Sequence, residues 1–200
     1  MEIAVYGATG ALGSKIVEEA VLRGHDVTGI SRKGGAIENA GIISADIANI
    51  DEFSKVAAEN DVVVIASGPS RTGDPHQHII DAHKAIIASN PKARIFVVGG
   101  AGSLWAGDVR LKDTDGFPEM YKPEAETMST ILDLYLDSAG LDWTCLSPAP
   151  MIGPGERTEV YKVGLENPVG DSISQEDFAV AVLDEIEKPQ HRNKRFTVAN

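Results

Sequence analysis

Residues 3–13 read Ile3-Ala4-Val5-Tyr6-Gly7-Ala8-Thr9-Gly10-Ala11-Leu12-Gly13. An apolar run is followed at once by three glycines spaced G-x-x-G-x-x-G. Next comes a helix-like stretch, Gly13 to Val21, with Ile16, Val17, Ala20 and Val21 on one face. A short apolar strand, a glycine turn and an amphipathic helix form the first half of a strand–helix–strand crossover.

The alternation continues outward from this stretch. Asp26 to Ser31 reads as a second strand and Ile42 to Ser44 as a short third. Asp51 to Ala58 reads as a helix with an Asp cap, and Asp61 to Ala66 as a strand apolar on both faces, as in a buried parallel sheet. His76 to Ser89 is helical, and Arg94 to Val98 is a buried strand. A Gly-, Asp- and Pro-rich loop leads to a long helix, about Glu119 to Ser138, with Met128, Ile131, Leu132 and Tyr135 inward. Asp142 to Ser147 is a sixth strand, and the Pro- and Gly-rich run from Pro148 to Gly155 does not suit regular structure. Ser174 with Asp177 three residues on reads as a capping box, opening a helix with Phe178, Val182, Leu183 and Ile186 inward. Arg195 to Val198 closes the chain as a strand. This order predicts an α/β fold: one domain over 1–200 with a doubly wound, mostly parallel sheet and helices on both faces. A small substrate-side segment is expected at about 148–173.

Composition agrees with a globular chain: 200 residues, 42% hydrophobic and 24% charged. The net charge of −12 opposes binding of nucleic acid and of anionic membrane surfaces. The single cysteine, Cys145, makes neither an internal disulfide nor a metal cluster. There is no apolar run of membrane-spanning length and no leader pattern at the N-terminus, so a cytoplasmic protein is expected.

In a doubly wound sheet, ligands bind at the carboxyl ends of the strands. The glycine motif lies at such an end, and its backbone N–H groups at the start of a helix suit a dinucleotide's diphosphate. Gly7, Thr9, Gly10, Ala11, Leu12 and Gly13 are therefore expected to bind cofactor. The second strand ends in Ser31, where NAD-binding proteins usually carry a carboxylate, and Arg32 and Lys33 follow. A hydroxyl and two cations suit a ribose 2′-phosphate, which favours NADP(H) over NAD(H). The alternative is a pair of solvated charges on a turn. Asp46 and Ile47 after the third strand suit adenine, unless Asp46 only shapes its turn. Ala66, Ser67 and Gly68 after the fourth strand are small enough for a ribose and nicotinamide to pass close to the backbone.

The chain resembles the atypical short-chain dehydrogenase/reductase superfamily, and within it the bacterial NADH-flavin reductase-like group, akin to biliverdin reductase B and NmrA-like proteins. The residues that carry the resemblance are the first glycine motif and Val98-Gly99-Gly100-Ala101-Gly102-Ser103-Leu104. With them go Leu141-Asp142-Trp143-Thr144 running into Leu146-Ser147-Pro148-Ala149, Pro154-Gly155-Glu156-Arg157-Thr158, Ile173 to Ala179 and Arg195 to Val198. The resemblance implies a Rossmann-like core, a reduced nicotinamide cofactor and a flavin- or quinone-like acceptor. It adds Gly99, Gly100, Pro148 and Ala149 to the cofactor-binding set.

The superfamily's catalytic pair is Tyr-x-x-x-Lys with a nearby Ser or Thr. Here Tyr121 is followed four residues on by Ala125, and the hydroxyl candidate is Ser103. Tyr121 either faces the cofactor or anchors the start of its helix, and Ser103 either takes part in chemistry or binds substrate. Carbonyl reduction needs a tuned proton donor. Reduction of a flavin or quinone does not, so the missing Lys opposes an alcohol dehydrogenase and is compatible with hydride transfer to a planar acceptor such as FMN. Leu104, Trp105, Pro150 and Met151 are expected to wall the acceptor pocket, with Trp105 alternatively a packing anchor. Arg157 either holds an anionic tail or makes a surface ion pair. His76, His78 and His83 lack metal-ligand spacing and read as a solvated helix face, and Cys145 reads as core packing. The leading expectation is an NAD(P)H-dependent reductase, with a homodimer possible through the long helix. The rival is a non-catalytic NADP(H) sensor of the NmrA-like type, and the short stretch after the sixth strand argues against a sugar-nucleotide epimerase.

Overall fold

The computed structural model describes residues 1–37, 40–70 and 73–200. Strand β1 (Glu2–Tyr6) runs through the glycine turn into α1 (Ala11–Leu22), followed by β2 (Asp26–Ser31), β3 (Gly41–Ser44), α2 (Ile50–Glu59), β4 (Val62–Ile65), α3 (Gln77–Ser89) and β5 (Arg94–Val98). A 3-10 turn (Ala101–Ser103) and a two-stranded hairpin, β6 (Trp105–Ala106) and β7 (Val109–Arg110), lead to α4 (Lys122–Leu136). Then come β8 (Trp143–Ser147), β9 (Met151–Gly153), β10 (Lys162–Gly164), β11 (Ser172–Ser174), α5 (Gln175–Glu187) and β12 (Lys194–Ala199). Among the described residues, eight strands make one sheet in the order β3-β2-β1-β4-β5-β8-β12-β10. All of its pairings are parallel except that of β10 with β12.

The strands alternate their side chains between two cores. Ala4, Tyr6, Val63, Ile65, Ile95 and Val97 face α2, α3 and α4, where Phe53, Ile79, Ile86, Ile131 and Leu132 meet them. Ile3, Val5, Val62, Val64, Phe96 and Val198 face α1 and α5, against Ile16, Val17, Phe178 and Val182. This is the expected doubly wound α/β fold with helices on both faces. The order reverses at β1: the chain winds outward through β2 and β3, then returns to place β4 on β1's other side. The crevice between the carboxyl ends of β1 and β4 is the topological switch point.

Local details depart from expectation for physical reasons. The cap of α2 is Asn49, whose side chain accepts from the Glu52 N–H at 3.3 Å; the Asp residue belongs to the first turn. The long helix begins at Lys122, because Pro123 lacks an N–H and fits only the first turn; Glu119–Tyr121 form a 3-10 turn before it. Ser174 caps α5 by accepting from the Asp177 N–H, but the reciprocal half of the box is missing. The Asp177 carboxylate instead accepts from Thr158, Glu159 and Asn200. Burial alone would raise that carboxyl group, and these bonds overcome burial and hold it below the usual range. The Pro- and Gly-rich run contains β9, which pairs in parallel with β11.

Candidate functional site

The glycine turn wraps against the end of β4. Gly7 has φ +79°, and a Cβ on it would lie 2.9 Å from the carbonyl and amide atoms joining Ala66 to Ser67. A Cβ on Gly13 would lie 2.1 Å from the Gly7 carbonyl oxygen. Neither position admits a side chain, so the first turn of α1 stays against the backbone of its own strand. The first backbone bond of α1 runs from the Ser14 N–H to the Gly10 carbonyl at 2.9 Å. The N–H groups of Ala11, Leu12 and Gly13 precede it, no side chain caps them and no acidic residue lies in the first turn. This cradle fits a dinucleotide diphosphate.

The loop after β2 leans on the same turn: a Cβ on Gly35 would meet the Thr9 methyl at 3.4 Å. Ser31 is buried and spends its hydroxyl on the Gly34 carbonyl, which tightens the loop. Arg32 and Lys33 are exposed. Among the described residues, Arg32 is the one arginine without a carboxylate partner; Arg23, Arg94, Arg110, Arg157, Arg192 and Arg195 each have one. Asp46 does turn work, accepting the Ala48 N–H at 3.0 Å, and Ile47 is buried in the core near Phe53.

The loop after β5 forms the other wall. The Gly99 N–H donates to the Leu146 carbonyl at 2.8 Å, joining this loop to β8 just before Pro148 and Ala149, which are buried. Ser103 is 1% exposed. Its hydroxyl donates to the Gly100 carbonyl at 2.8 Å and accepts from Arg195 Nη1 at 3.2 Å. It is therefore no free donor to a ligand. Tyr121 is 47% exposed, immediately before α4. Ala125, where the superfamily carries Lys, packs so closely on the loop that a methyl on Gly102 would stand 2.6 Å from its Cβ.

The expected acceptor pocket divides. Leu104 is fully buried in the loop's packing, whereas Trp105, Pro150 and Met151 are exposed. Arg110 lies over the Trp105 ring, 5.5 Å from its centre, and pairs with Asp133 of α4. Arg157 takes the ion-pair alternative, bound to Glu19 and Glu159. The histidine helix is not a solvated face throughout. His83 is buried against the Tyr135 hydroxyl at 2.9 Å, and burial lowers its pKa to about 4. His76 links Thr127 of α4 to the Ser70 carbonyl. Cys145 is buried as expected, and burial pushes its thiol up to about 12.

Residues 7–189 match the model of a family described as NAD(P)H-binding. The chain belongs to this NAD(P)H-binding family. It is similar to the uncharacterized protein YwnB of Bacillus subtilis, 39% identical over 215 aligned residues, covering 100% of this chain and 99% of that protein. The structure of a “putative NADH-flavin reductase” from Streptococcus pneumoniae superposes with a TM-score of 0.88 at 32% identity, covering 100% of this chain and 99% of that one. A “putative exported protein” from Burkholderia pseudomallei superposes at 0.90 with 36% identity over all of both chains. These findings agree with the atypical short-chain dehydrogenase/reductase resemblance read from the sequence. No helix of the described residues is long and apolar enough to cross a membrane.

Arg195 and Glu166 were not anticipated at this site. The available signal was a charge opening the short closing strand Arg195-Phe196-Thr197-Val198, which lies between β8 and the edge strand β10.

Proposed function

We propose that this NAD(P)H-binding protein is an NADPH-preferring reductase whose acceptor is a planar ring of the flavin or quinone type. Gly7, Thr9, Gly10, Ala11, Leu12 and Gly13 would hold the diphosphate, and Arg32 and Lys33 the 2′-phosphate, on the loop that Ser31 tightens. Asp46 and Ile47 would border the adenine. Ala66, Ser67 and Gly68, with Gly99, Gly100, Pro148 and Ala149, would border the nicotinamide end. Bound NADPH supplies a hydride. The chain's residues align the ring against an acceptor bordered by Trp105, Pro150 and Met151.

The observation that carries the acceptor class is the state of the usual proton donors. Ser103's proton is spent on Gly100, Tyr121 stands exposed, and Ala125 stands where the superfamily carries the Lys that would tune it. Such a site suits an acceptor that takes hydride on an electrophilic ring and its proton from water. The name carried by the Streptococcus pneumoniae relative supports the same reading.

The test is oxidation of NADPH and of NADH by purified protein with FMN, riboflavin and a simple quinone, alongside calorimetry of both cofactors. Acceptor-dependent turnover favouring NADPH is expected. Tight NADPH binding without turnover on any acceptor overturns the reductase and leaves the cofactor sensor, which the same missing donor set also suits.

A further inference from the structure

The charge buried most completely near the site is not a ligand-facing group. Arg195 lies on β12, paired in register with Cys145 of β8, and its side chain is 1% exposed. It reaches under the loop after β5. Nη1 donates to Ser103 Oγ at 3.2 Å, while Nη2 binds the carboxylate of Glu166 and lies 3.4 Å from that residue's carbonyl oxygen. The Glu166 carbonyl also accepts the Trp105 N–H at 2.8 Å, and Asn167 Nδ2 donates to the Trp105 carbonyl at 2.9 Å. Ser103 Oγ is 3.5 Å from Ser147 Oγ at the end of β8. Residues 103–105 are thus held on one side by Arg195 and on the other by the segment Arg195 itself fixes. Arg195 Nε and Thr197 Oγ1, two residues apart on the same strand face, are buried without partners.

Stability is a poor explanation for this arrangement. Taking an arginine out of water is costly, and apolar residues of similar volume usually replace a buried ion pair at no loss. Hydrogen-bonded charge does something an apolar residue cannot, which is to fix one geometry by directed bonds. Here that geometry is the 3-10 turn Ala101–Ser103, which carries Trp105 and borders the proposed nicotinamide end.

We propose that Arg195 is a positioning residue: with Glu166 it clamps Ser103 and Trp105 so that the loop after β5 keeps the shape that aligns cofactor and acceptor. On this view Ser103 acts through its bond to Arg195 and not as a proton donor. The proposal rests on the reductase reading for its kinetic consequences, though not for its structural ones.

The experiment compares wild type with Arg195→Met, Arg195→Lys, Glu166→Gln, Ser103→Ala and the Arg195→Met/Ser103→Ala double variant. It reads kcat and KM for FMN with NADPH, NADPH affinity by calorimetry, and amide hydrogen exchange at residues 103–105. Arg195→Met is expected to lower kcat by about tenfold to a hundredfold, the scale of a small misalignment, with a smaller change in KM. Arg195→Lys should recover part of that loss, because it keeps the charge and one donor. The double variant should be no worse than the poorer single one, since both break one clamp. Loop exchange should quicken in Arg195→Met and Glu166→Gln. Independent, multiplying losses for Arg195 and Ser103 would overturn the clamp, as would unchanged kcat with unchanged loop exchange. Glu166→Gln guards against misfolding, because its side chain is 50% exposed. Should wild type turn over no acceptor, the reductase reading fails alone. Loop exchange and NADPH affinity then decide the clamp, which is wrong if Glu166→Gln and Arg195→Met alter neither.

Discussion

The carboxylate of Glu19 on α1 accepts both Nε and Nη2 of Arg157, at 2.7 and 2.9 Å, across 138 positions of sequence. Arg23 donates to the same carboxylate at 2.7 Å and continues to Asp184 and Glu187 of α5. Burial alone would raise Glu19, but the bonds from Arg157 and Arg23 prevail and hold it below the usual carboxylate range. The segment after β9 is thereby tied to α1, the helix that begins at the glycine turn. Glu19→Ala would take from Arg23 and Arg157 the buried carboxylate they share, while leaving them Asp184, Glu187 and Glu159. We expect a loss of about 2 kcal/mol of stability in urea unfolding, the scale of charge-assisted hydrogen bonds lost without stranding a buried charge. A change under 1 kcal/mol would show the network to be loose.

Gly13→Ala should be far more disruptive than its size suggests. Its methyl would collide with the Gly7 carbonyl, so α1 must move off β1. A stability loss of about 3 kcal/mol is expected from such overpacking, with NADPH binding undetectable by calorimetry. A wild-type Tm and NADPH affinity would remove the cradle from the proposed binding mode.

Arg32→Ala should separate the two cofactors. A charge-assisted bond to a phosphate is worth about 1.5–3 kcal/mol, so NADPH binding should weaken tenfold or more while NADH binding barely changes. Equal losses for both would mean that Arg32 does not read the 2′-phosphate.

The buried His83 should write itself into the acid limb of stability. Its folded pKa is about 4 against an ordinary 6.5, so between those values the unfolded chain binds a proton that the folded chain refuses. The contribution is complete above pH 6.5 and declines as pH falls towards 4, a change of about 3 kcal/mol. Glu19, Asp177 and Glu185, all lowered, lose their contributions at still lower pH. His83→Gln should flatten the profile between pH 6.5 and 4, as measured by urea midpoints. An unchanged slope would place the titration elsewhere.

Cys145 should resist thiol reagents in the native protein and react fully on unfolding. Its sulfur is buried beneath Gly99, and its thiol is raised to about 12. Labelling at the rate of an exposed thiol would mean that the loop after β5 opens widely.

Strand and helix order, the parallel sheet and the glycine cradle were legible in the chain because their signals are local. Gly7, Gly10 and Gly13 follow one strand and open one helix, and the two-sided apolar runs of β4 and β5 admit only a covered sheet. Arg32 was legible too, since its place at the end of β2 follows from the topology. What no local signal carried was the fate of side chains whose partners lie far along the sequence. Ser103 reads as an available hydroxyl until Arg195, 92 positions on, is found beneath it. Arg157 reads as an ion-pairing cation with no partner named until Glu19 meets it, and His83 as a surface histidine until Tyr135 covers it. A backbone's course is set by periodicity and turn chemistry within a few residues. A polar side chain's role is set by which distant group shares its burial, and the packing of β12, α4 and α5 makes that choice.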